Sequence, residues 1–249
     1  MNELLKDFLK KRMSYGEREA VRQLRREWRL SRVHRREMKR VARFLQALPV
    51  KLHLGCGPKR KEGWVNIDLF DRAADLQLDL RNAWPFPDNS VSYIYSEHVF
   101  EHFEIHTEVP HFLREALRVL EPGGIFDVVV PDTVPAIKAF GDPDATFWSL
   151  ALVHNWHPGC QTQLEHINYH FRQHGEHKYA WDLETLSRVL RTAGFEGVTQ
   201  RDFDPTMDSP ERVLSLWVVA KKPTRTLSEQ PLKRTPEIGG EDHSHLVHV

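Results

Sequence analysis

The N-terminal part of the chain carries apolar positions at the spacing of amphipathic helices. Residues 2–12 predict a first helix with four apolar side chains on one face, which are Leu4, Leu5, Phe8 and Leu9. Ser14 and Gly16 break this pattern, and residues 17–47 predict a second helix that Pro49 ends. The second helix again has apolar positions at helical spacing: Val21, Leu24, Trp28, Val41, Phe44, Leu45 and Leu48.

After Pro49 the pattern changes to short apolar segments that alternate with amphipathic ones. Seven segments predict strands: Val50–Leu54, Trp64–Asp68, Asp75–Leu80, Val91–Ser96, Ile125–Val130, Gly197–Phe203 and Val213–Ala220. Two segments predict helices, Pro110–Leu120 with Pro122-Gly123-Gly124 as its stop, and Leu183–Ala193 closed by Gly194. This alternation predicts an α/β fold, a Rossmann-like doubly wound sheet of about seven strands with helices on both faces, preceded by N-terminal helices.

The boundaries of these patterns divide the chain into three parts. Residues 1–48 form a basic amphipathic helical extension, and residues 49–221 form the α/β domain, in which residues 133–180 are an insert rich in histidine and aromatic residues. Residues 222–249 are polar and predict a disordered tail. One interval is unusual, because Lys59–Gly63 leaves almost no room for a crossover helix, which normally needs about ten residues or more.

The apolar content and the number of cysteines limit the classes of protein to which the chain can belong. The chain has 249 residues, of which 40% are hydrophobic, and no segment approaches the roughly 18–20 apolar residues of a spanning helix. Its two cysteines form no disulfide framework, which favours a cytoplasmic protein.

The zero net charge hides an asymmetry, since residues 1–43 hold fifteen Lys or Arg against six Asp or Glu. The basic extension therefore either docks its apolar face on the core or lies on the anionic inner face of a membrane. Nucleic acid is disfavoured as a partner, because the extension lacks a recognisable binding fold. The oligomeric state is left open.

Glycines and acids follow the predicted strands where a ligand of an α/β sheet binds. Gly55 and Gly57 follow the first strand, and their lack of a Cβ lets a ligand approach the backbone. Asp68 ends the second strand, where a carboxylate accepts hydrogen bonds from ribose hydroxyls; the alternative is a turn with a solvated aspartate. Asp79 follows the third strand near an adenine position, or residues 82–88 merely cap the sheet there.

The successive motifs LHLGCGP, GWVNID, LDLRNAWPFPDNSVSYIYSEHVFEH and REALRVLEPGG resemble class I S-adenosylmethionine-dependent methyltransferases. The similarity is to a small bacterial branch with a shortened first crossover, within the methyltransferase type 11 group, and it covers Lys51–Ala220. It implies S-adenosyl-L-methionine as the cofactor. The spacing from Gly55 to Asp68 is thirteen residues, where family members have about twenty.

The resemblance also implies contacts for individual residues. The methionine part of the cofactor would contact Gly55, Cys56 and Gly57, the ribose Asp68, and the adenine Asp79 and Leu80. Ser96, Glu97 and His98 would lie beside the reaction centre.

Methyl transfer from a sulfonium is an in-line displacement that mainly requires alignment and the exclusion of water. A hydroxyl or amine acceptor can also need a base, for which His98 and then Asp132 are the candidates. The alternatives are that His98 holds a loop and that Asp132 caps a turn. The family and the basic extension together favour a small-molecule acceptor, or a glycan or lipid-linked one.

The histidines of the insert raise a metal hypothesis. The spacing His154-x2-His157-x2-Cys160 is typical of ligands, and further histidines recur at helical spacing, at positions 166, 170 and 174. The insert also resembles the segment that covers the acceptor pocket in the same methyltransferases. We therefore favour an acceptor lid and predict no metal. The aromatic residues that would line the lid or pack the insert are Trp148, Trp156, Tyr169, Phe171 and Tyr179.

Two other classes of function remain open. A nicotinamide-dinucleotide oxidoreductase is disfavoured because the glycine loop lacks the full G-x-G-x-x-G pattern. A non-catalytic binding module is disfavoured because Gly55, Gly57, Asp68 and Asp79 are all present.

Overall fold

The computed structural model describes residues 12–46, 48–142, 146–149, 159–212 and 214–224. The strands are β1 Val50–Leu54, β2 Val65–Asp68, β3 Leu76–Gln77, β4 Val91–Glu97, β5 Leu120–Pro131, β6 Glu196–Gln200 and β7 Ser215–Lys221. The α-helices are α1 Tyr15–Glu37, α2 Glu108–Val119, α3 Val134–Ala139, α4 Thr146–Ser149, α5 Gln163–Arg172 and α6 Leu183–Ala193. Short 3-10 turns occupy Val41–Arg43, Phe100–His102 and Gln173–Gly175.

The seven strands form one mixed sheet in the order β3-β2-β1-β4-β5-β7-β6. The neighbouring pairs from β3 to β5 are parallel, and β7 runs antiparallel to both β5 and β6. This arrangement confirms the predicted Rossmann-like α/β fold with an N-terminal helix. The strand order reverses between β1 and β4, so the carboxyl ends of these two strands lie side by side at the point where α/β sheets bind ligands.

The main core lies on one face of the sheet. Because side chains alternate along a strand, Leu52 and Leu54 of β1 share a face with Phe126 of β5. Apolar side chains of α2 and α6 join the same core, among them Phe112 and Leu190. The helices that build this core thus cover one face, which refines the prediction of helices on both faces.

Loops cover much of the opposite face. His53 of β1 and Tyr95 of β4 are neighbours there, and Asp127 of β5 follows in the same row. Trp64 packs edge-on against Tyr95, with ring centroids 6.5 Å apart. Residues 201–209 supply charged partners to the same row. The fully described interval 55–64 contains no helix, as the short spacing between β1 and β2 predicted.

Helix α1 differs from its prediction at its start and in its docked face. Ser14 is the N-cap and forms a capping box with Glu17, so the helix begins at Tyr15 and includes Gly16. Its buried side chains are Leu30, His34 and Glu37. The predicted docking of Leu24 and Trp28 on the core is wrong, because these side chains are 70% and 60% exposed.

The remaining predicted segments either lie outside the described residues or belong to a different element. Residues 2–11 of the predicted first helix and most of the predicted tail lie outside the described residues. Pro122-Gly123-Gly124, predicted to stop a helix, lies inside β5, which begins directly after α2. Within the part of the chain that the structure describes, no helix is both long and apolar enough to cross a membrane.

Candidate functional site

The loop after β1 brings two glycines to the carboxyl edge of the sheet. Gly55 has φ +64° and Gly57 has φ +47°, conformations that L side chains rarely adopt. A Cβ on Gly55 would overlap Cγ2 of Val99, whereas a Cβ on Gly57 would meet open space. Gly57 therefore borders a volume that a ligand can enter. Burial raises the pKa of the Cys56 thiol to about 12, so this thiol stays protonated at neutral pH.

Asp68 closes the neighbouring strand end. Its Oδ2 accepts a hydrogen bond from the Gly57 amide at 3.0 Å, and its Oδ1 accepts from the amides of Phe70 and Asp71 at 2.7 and 2.8 Å. The structure thus shows the turn that was the alternative interpretation. A carboxylate has about four lone-pair sites, so Asp68 keeps acceptor capacity beside the glycine loop. Its contact with a ribose stays a prediction.

The carboxylate of Asp79 is paired with the guanidinium of Arg81. Arg81 bonds both carboxylate oxygens, at 2.9 and 2.7 Å, and also pairs with Glu27 of α1 at 2.8 Å. Burial would raise the pKa of Asp79, but the bonds from Arg81 outweigh it and hold that pKa below its usual range. The carboxylate therefore ties α1 to the sheet.

Leu80 is buried, and its carbonyl accepts a hydrogen bond from the ring of Trp84 at 3.2 Å. Trp84 and Phe86 belong to the core, as the capping alternative for residues 82–88 predicted. The adenine contacts of Asp79 and Leu80 stay predictions.

The end of β4 presents three polar residues in succession. Ser96 is fully buried. Glu97 accepts a hydrogen bond from the Ser209 amide at 2.9 Å, which ties residues 204–212 to the strand end. His98 has φ +53°, and its Nε2 lies 2.8 Å from Oγ of Ser215. Burial lowers the pKa of His98 well below its usual value, so its ring is neutral at physiological pH.

A cavity of about 370 Å³ opens beside His98. Its lining residues come from strand ends, the insert and the segment before β7: His98, Pro131, Tyr169, His170, Gln173, His177, Glu211 and Arg212. An ion pair between Lys59 and Glu211 connects the cavity wall to the loop that follows the glycines. Helix α5 of the insert thus lies beside the end of β4, and its role as an acceptor lid stays a prediction.

Asp132, the second candidate base, directly follows β5. Its Oδ1 accepts a hydrogen bond from the Val134 amide at 3.0 Å, which is the cap that the alternative interpretation predicted. Burial raises the pKa of Asp132. A role as base stays a prediction.

The histidines of the insert point in different directions. His166 packs against Trp148 with ring centroids 6.0 Å apart, and His174 packs against Tyr169 at 5.0 Å. His170 instead lines the cavity. His154 and His157 lie outside the described residues, so the structure does not bear on their spacing with Cys160.

Sequence reasoning missed Glu101 and Arg212. Glu101 lies in the 3-10 turn after β4, three residues beyond His98, and it is 2% exposed. The acid in the motif SEHVFEH was a signal that could have drawn attention to it. Arg212 lines the cavity from the loop before β7, and its surrounding sequence carries no motif.

Comparison with known proteins agrees with this geometry. Residues 52–128 match the family model described as "Methyltransferase domain". This match confirms the predicted relationship to class I S-adenosylmethionine-dependent methyltransferases and, with it, the predicted cofactor. No curated protein matches the chain.

Several solved structures are similar to this chain. An S-adenosylmethionine-dependent methyltransferase from Thermotoga maritima has 15% identity and a TM-score of 0.43, with 81% of this chain and 96% of that chain covered. Another from Archaeoglobus fulgidus has 16% identity and a TM-score of 0.43, with 74% and 92% covered. A Haemonchus contortus phosphoethanolamine N-methyltransferase, solved with S-adenosylhomocysteine, has 12% identity and a TM-score of 0.43, with 76% and 53% covered.

Proposed function

We propose that this protein transfers the methyl group of S-adenosylmethionine to a small molecule or to a glycan or lipid-linked acceptor. The observation that carries the proposal is the junction of the glycine loop and Asp68, where the Gly57 amide bonds the Asp68 carboxylate at 3.0 Å beside open space. The family match over residues 52–128 includes this junction.

The acceptor would occupy the cavity beside His98. Its volume of about 370 Å³ falls in the range of roughly 300–1,000 Å³ that small-molecule sites have. Because the sulfonium is already activated, the chain mainly has to align the acceptor and exclude water. His98 is neutral and buried, so it can accept a proton from an acceptor hydroxyl, although its lowered pKa makes it a weak base.

The test is calorimetric titration of the full chain with S-adenosylmethionine, S-adenosylhomocysteine and NAD. We expect micromolar binding of the two sulfur nucleosides and no binding of NAD. Asp68→Ala should weaken both by about tenfold or more, because it removes the ribose acceptor. Glu62→Ala, which removes an exposed carboxylate from the preceding loop, is the matched control and should bind like the wild type.

The rival functions give different results in the same experiment. Preference for NAD would support an oxidoreductase and overturn the proposal. Binding of S-adenosylmethionine without transfer of labelled methyl to any acceptor in a cell extract would support a non-catalytic binding module.

We also propose that α1 holds the protein against an anionic membrane. Leu24 and Trp28 lie one turn apart on an exposed face, away from the docked Leu30 and His34. The helix carries eight arginines against four glutamates, and Arg32 stacks over the Trp28 ring at 4.7 Å. An apolar strip beside a basic one is the pattern of interfacial helices.

Cosedimentation with vesicles tests this second proposal. The full chain should bind phosphatidylserine vesicles at low salt, bind less at high salt and leave phosphatidylcholine vesicles unbound. Leu24→Ser with Trp28→Ser should reduce binding, whereas Ile137→Ser, at an exposed apolar position of α3, should not. Equal binding by both variants, or none by the wild type, would contradict a membrane role for α1.

A further inference from the structure

The turn after β4 contains a buried carboxylate with no hydrogen-bond partner. Glu101 is 2% exposed, and within the described residues neither of its carboxylate oxygens accepts a hydrogen bond. Buried polar groups are almost always paired, because leaving one unsatisfied costs about 1–3 kcal/mol or more when it is charged. The arrangement around Glu101 therefore requires an explanation.

Three histidine rings surround the same carboxylate oxygen. From Oε1 of Glu101, Nδ1 of His98 lies 3.7 Å away, Nε2 of His102 3.9 Å away and Nε2 of His177 4.0 Å away. These distances exceed the roughly 2.7–3.2 Å of a hydrogen bond. The nitrogens thus face the oxygen across a gap too wide for a shared proton.

Backbone carbonyls fix the tautomers of two of these rings. Nδ1 of His102 lies 3.1 Å from the carbonyl oxygen of Glu176, and Nδ1 of His177 lies 3.0 Å from that of His170. A carbonyl only accepts, so each Nδ1 must carry the proton. Each neutral ring then directs the lone pair of its Nε2 towards Glu101. Lone pairs that face an ionised carboxylate repel it, unless the carboxyl is protonated or a cation lies between them.

Metal-binding histidines show the same hydrogen-bonding pattern. They usually donate their second ring N–H to a carbonyl or carboxylate, which orients the ring and fixes the tautomer. In the neutral tautomer that the two carbonyls select, Nε2 of each ring carries the lone pair that a metal ion binds.

We propose that Glu101, His102 and His177 form a binding site for a divalent transition-metal ion. Their donor atoms lie within 4.8 Å of one another, and tetrahedral zinc places its ligand atoms about 3.3 Å apart. Small side-chain shifts therefore close the site around an ion. Two histidines and one carboxylate suit Zn²⁺, Fe²⁺, Co²⁺ or Mn²⁺ rather than Ca²⁺ or Mg²⁺.

The site lies at the wall of the cavity rather than deep in the core. His177 and His98 both line the cavity, so an ion held here would border the proposed acceptor position. The His102 ring packs edge-on against that of His177, with centroids 5.1 Å apart, which holds two of the ligands together. The metal site does not depend on S-adenosylmethionine binding, and each can fail without the other.

The experiment is titration of the chelator-treated full chain with Zn²⁺ by calorimetry and with Co²⁺ by visible absorption. We expect one equivalent of each ion, a Co²⁺ spectrum of nitrogen and oxygen coordination, and a higher thermal unfolding midpoint with Zn²⁺. Glu101→Gln and His177→Gln should each weaken binding more than about tenfold and abolish the thermal shift. Glu101→Gln keeps the side-chain volume, so it preserves the fold.

His106→Gln is the matched control, since it removes an exposed histidine from the same segment. It should bind Zn²⁺ like the wild type. No stoichiometric binding of Zn²⁺, Co²⁺, Mn²⁺ or Fe²⁺ by the folded chain would overturn the proposal. So would binding that persists unchanged in both Glu101→Gln and His177→Gln, because the ion would then be held elsewhere.

Discussion

Gly55 and Gly57 share a left-handed backbone but differ in what surrounds them. Alanine at either position costs about 1–2 kcal/mol for the backbone conformation. At Gly55 the added methyl also overlaps Cγ2 of Val99, whereas at Gly57 it enters open space. The two glycines therefore serve different purposes: Gly55 allows close packing of the loop against the turn after β4, and Gly57 leaves room for a ligand.

This difference predicts two separable effects. Gly55→Ala should destabilise the fold by about 2–4 kcal/mol, the sum of backbone strain and overpacking. Gly57→Ala should cost only about 1–2 kcal/mol but weaken S-adenosylmethionine binding. Denaturant unfolding and calorimetry measure the two quantities.

The variant Val99→Ala tests whether contact with Val99 causes the overpacking expected in Gly55→Ala. In the background of Gly55→Ala it should restore some of the lost stability, because it removes the atom that the new methyl meets. Strictly additive losses in the double variant would show that Val99 does not cause the overpacking.

At the scale of secondary-structure elements, the sequence correctly predicted the bounds that short local patterns determine. The bounds of β1 and α6 agree with their predictions, since five alternating residues and a closing Gly194 are sufficient signals. The start of α1 was missed because Ser14 was interpreted as a break rather than as a cap. The sequence did predict the apolar face of α1. The spacing of Leu24 and Trp28 alone, however, does not show whether they contact the protein core or a membrane.

In the candidate site, too, the sequence predicted the residues that local patterns mark, and it missed those that depend on tertiary contacts. The glycine loop and Asp68 were predicted because the loop directly follows one apolar strand and Asp68 ends the next. The environment of Glu101 depends on His177, which lies near the end of the insert and is brought close by the fold, and no local pattern encodes that approach. Likewise Asp79 was predicted beside a ligand, whereas Arg81 bonds it and also pairs with Glu27 of α1.

At the scale of the whole molecule, charged groups join the loop before β7 to the second face of the sheet. Arg201 bonds Asp127 of β5 at 3.0 and 3.1 Å and Asp208 at 2.7 and 2.8 Å. Tyr93 and Tyr95 of β4 donate to the same two carboxylates, at 2.8 and 2.9 Å. One guanidinium thus joins β4, β5 and the loop before β7, on the face where loops replace helices.

The energetics of this network follow from its burial. Asp127 and Asp208 are 1% and 5% exposed. Burial would raise the pKa of Asp208, but bonds from Arg201 outweigh it and hold that pKa below its usual range. For Asp127 burial prevails, and its pKa is raised despite Arg201. Without the guanidinium, the remaining hydrogen-bond donors within the described residues would be the Tyr93 hydroxyl for Asp127, and the Tyr95 hydroxyl and the Asp204 amide for Asp208.

Arg201→Ala should therefore destabilise the fold by about 3–5 kcal/mol at pH 7, because it leaves uncompensated buried charge. In this variant the folded-state pKa of Asp127, already raised in the wild type, should rise further, and that of Asp208 should rise because the bonds from Arg201 that lower it are lost. Protonation then favours the folded variant more than it favours the folded wild type, so the deficit should shrink as the pH falls from 7 towards 4. Urea unfolding of the wild type and the variant across that range measures it.

A charge-neutral background separates this mechanism from loss of packing. Asp127→Asn with Asp208→Asn leaves no carboxylate for Arg201 to compensate, so adding Arg201→Ala to that double variant should cost much less than it costs the wild type. Its deficit should also be independent of pH. An equal cost in both backgrounds would mean that the alkyl part of Arg201, and not its charge, holds the loop before β7 against the sheet.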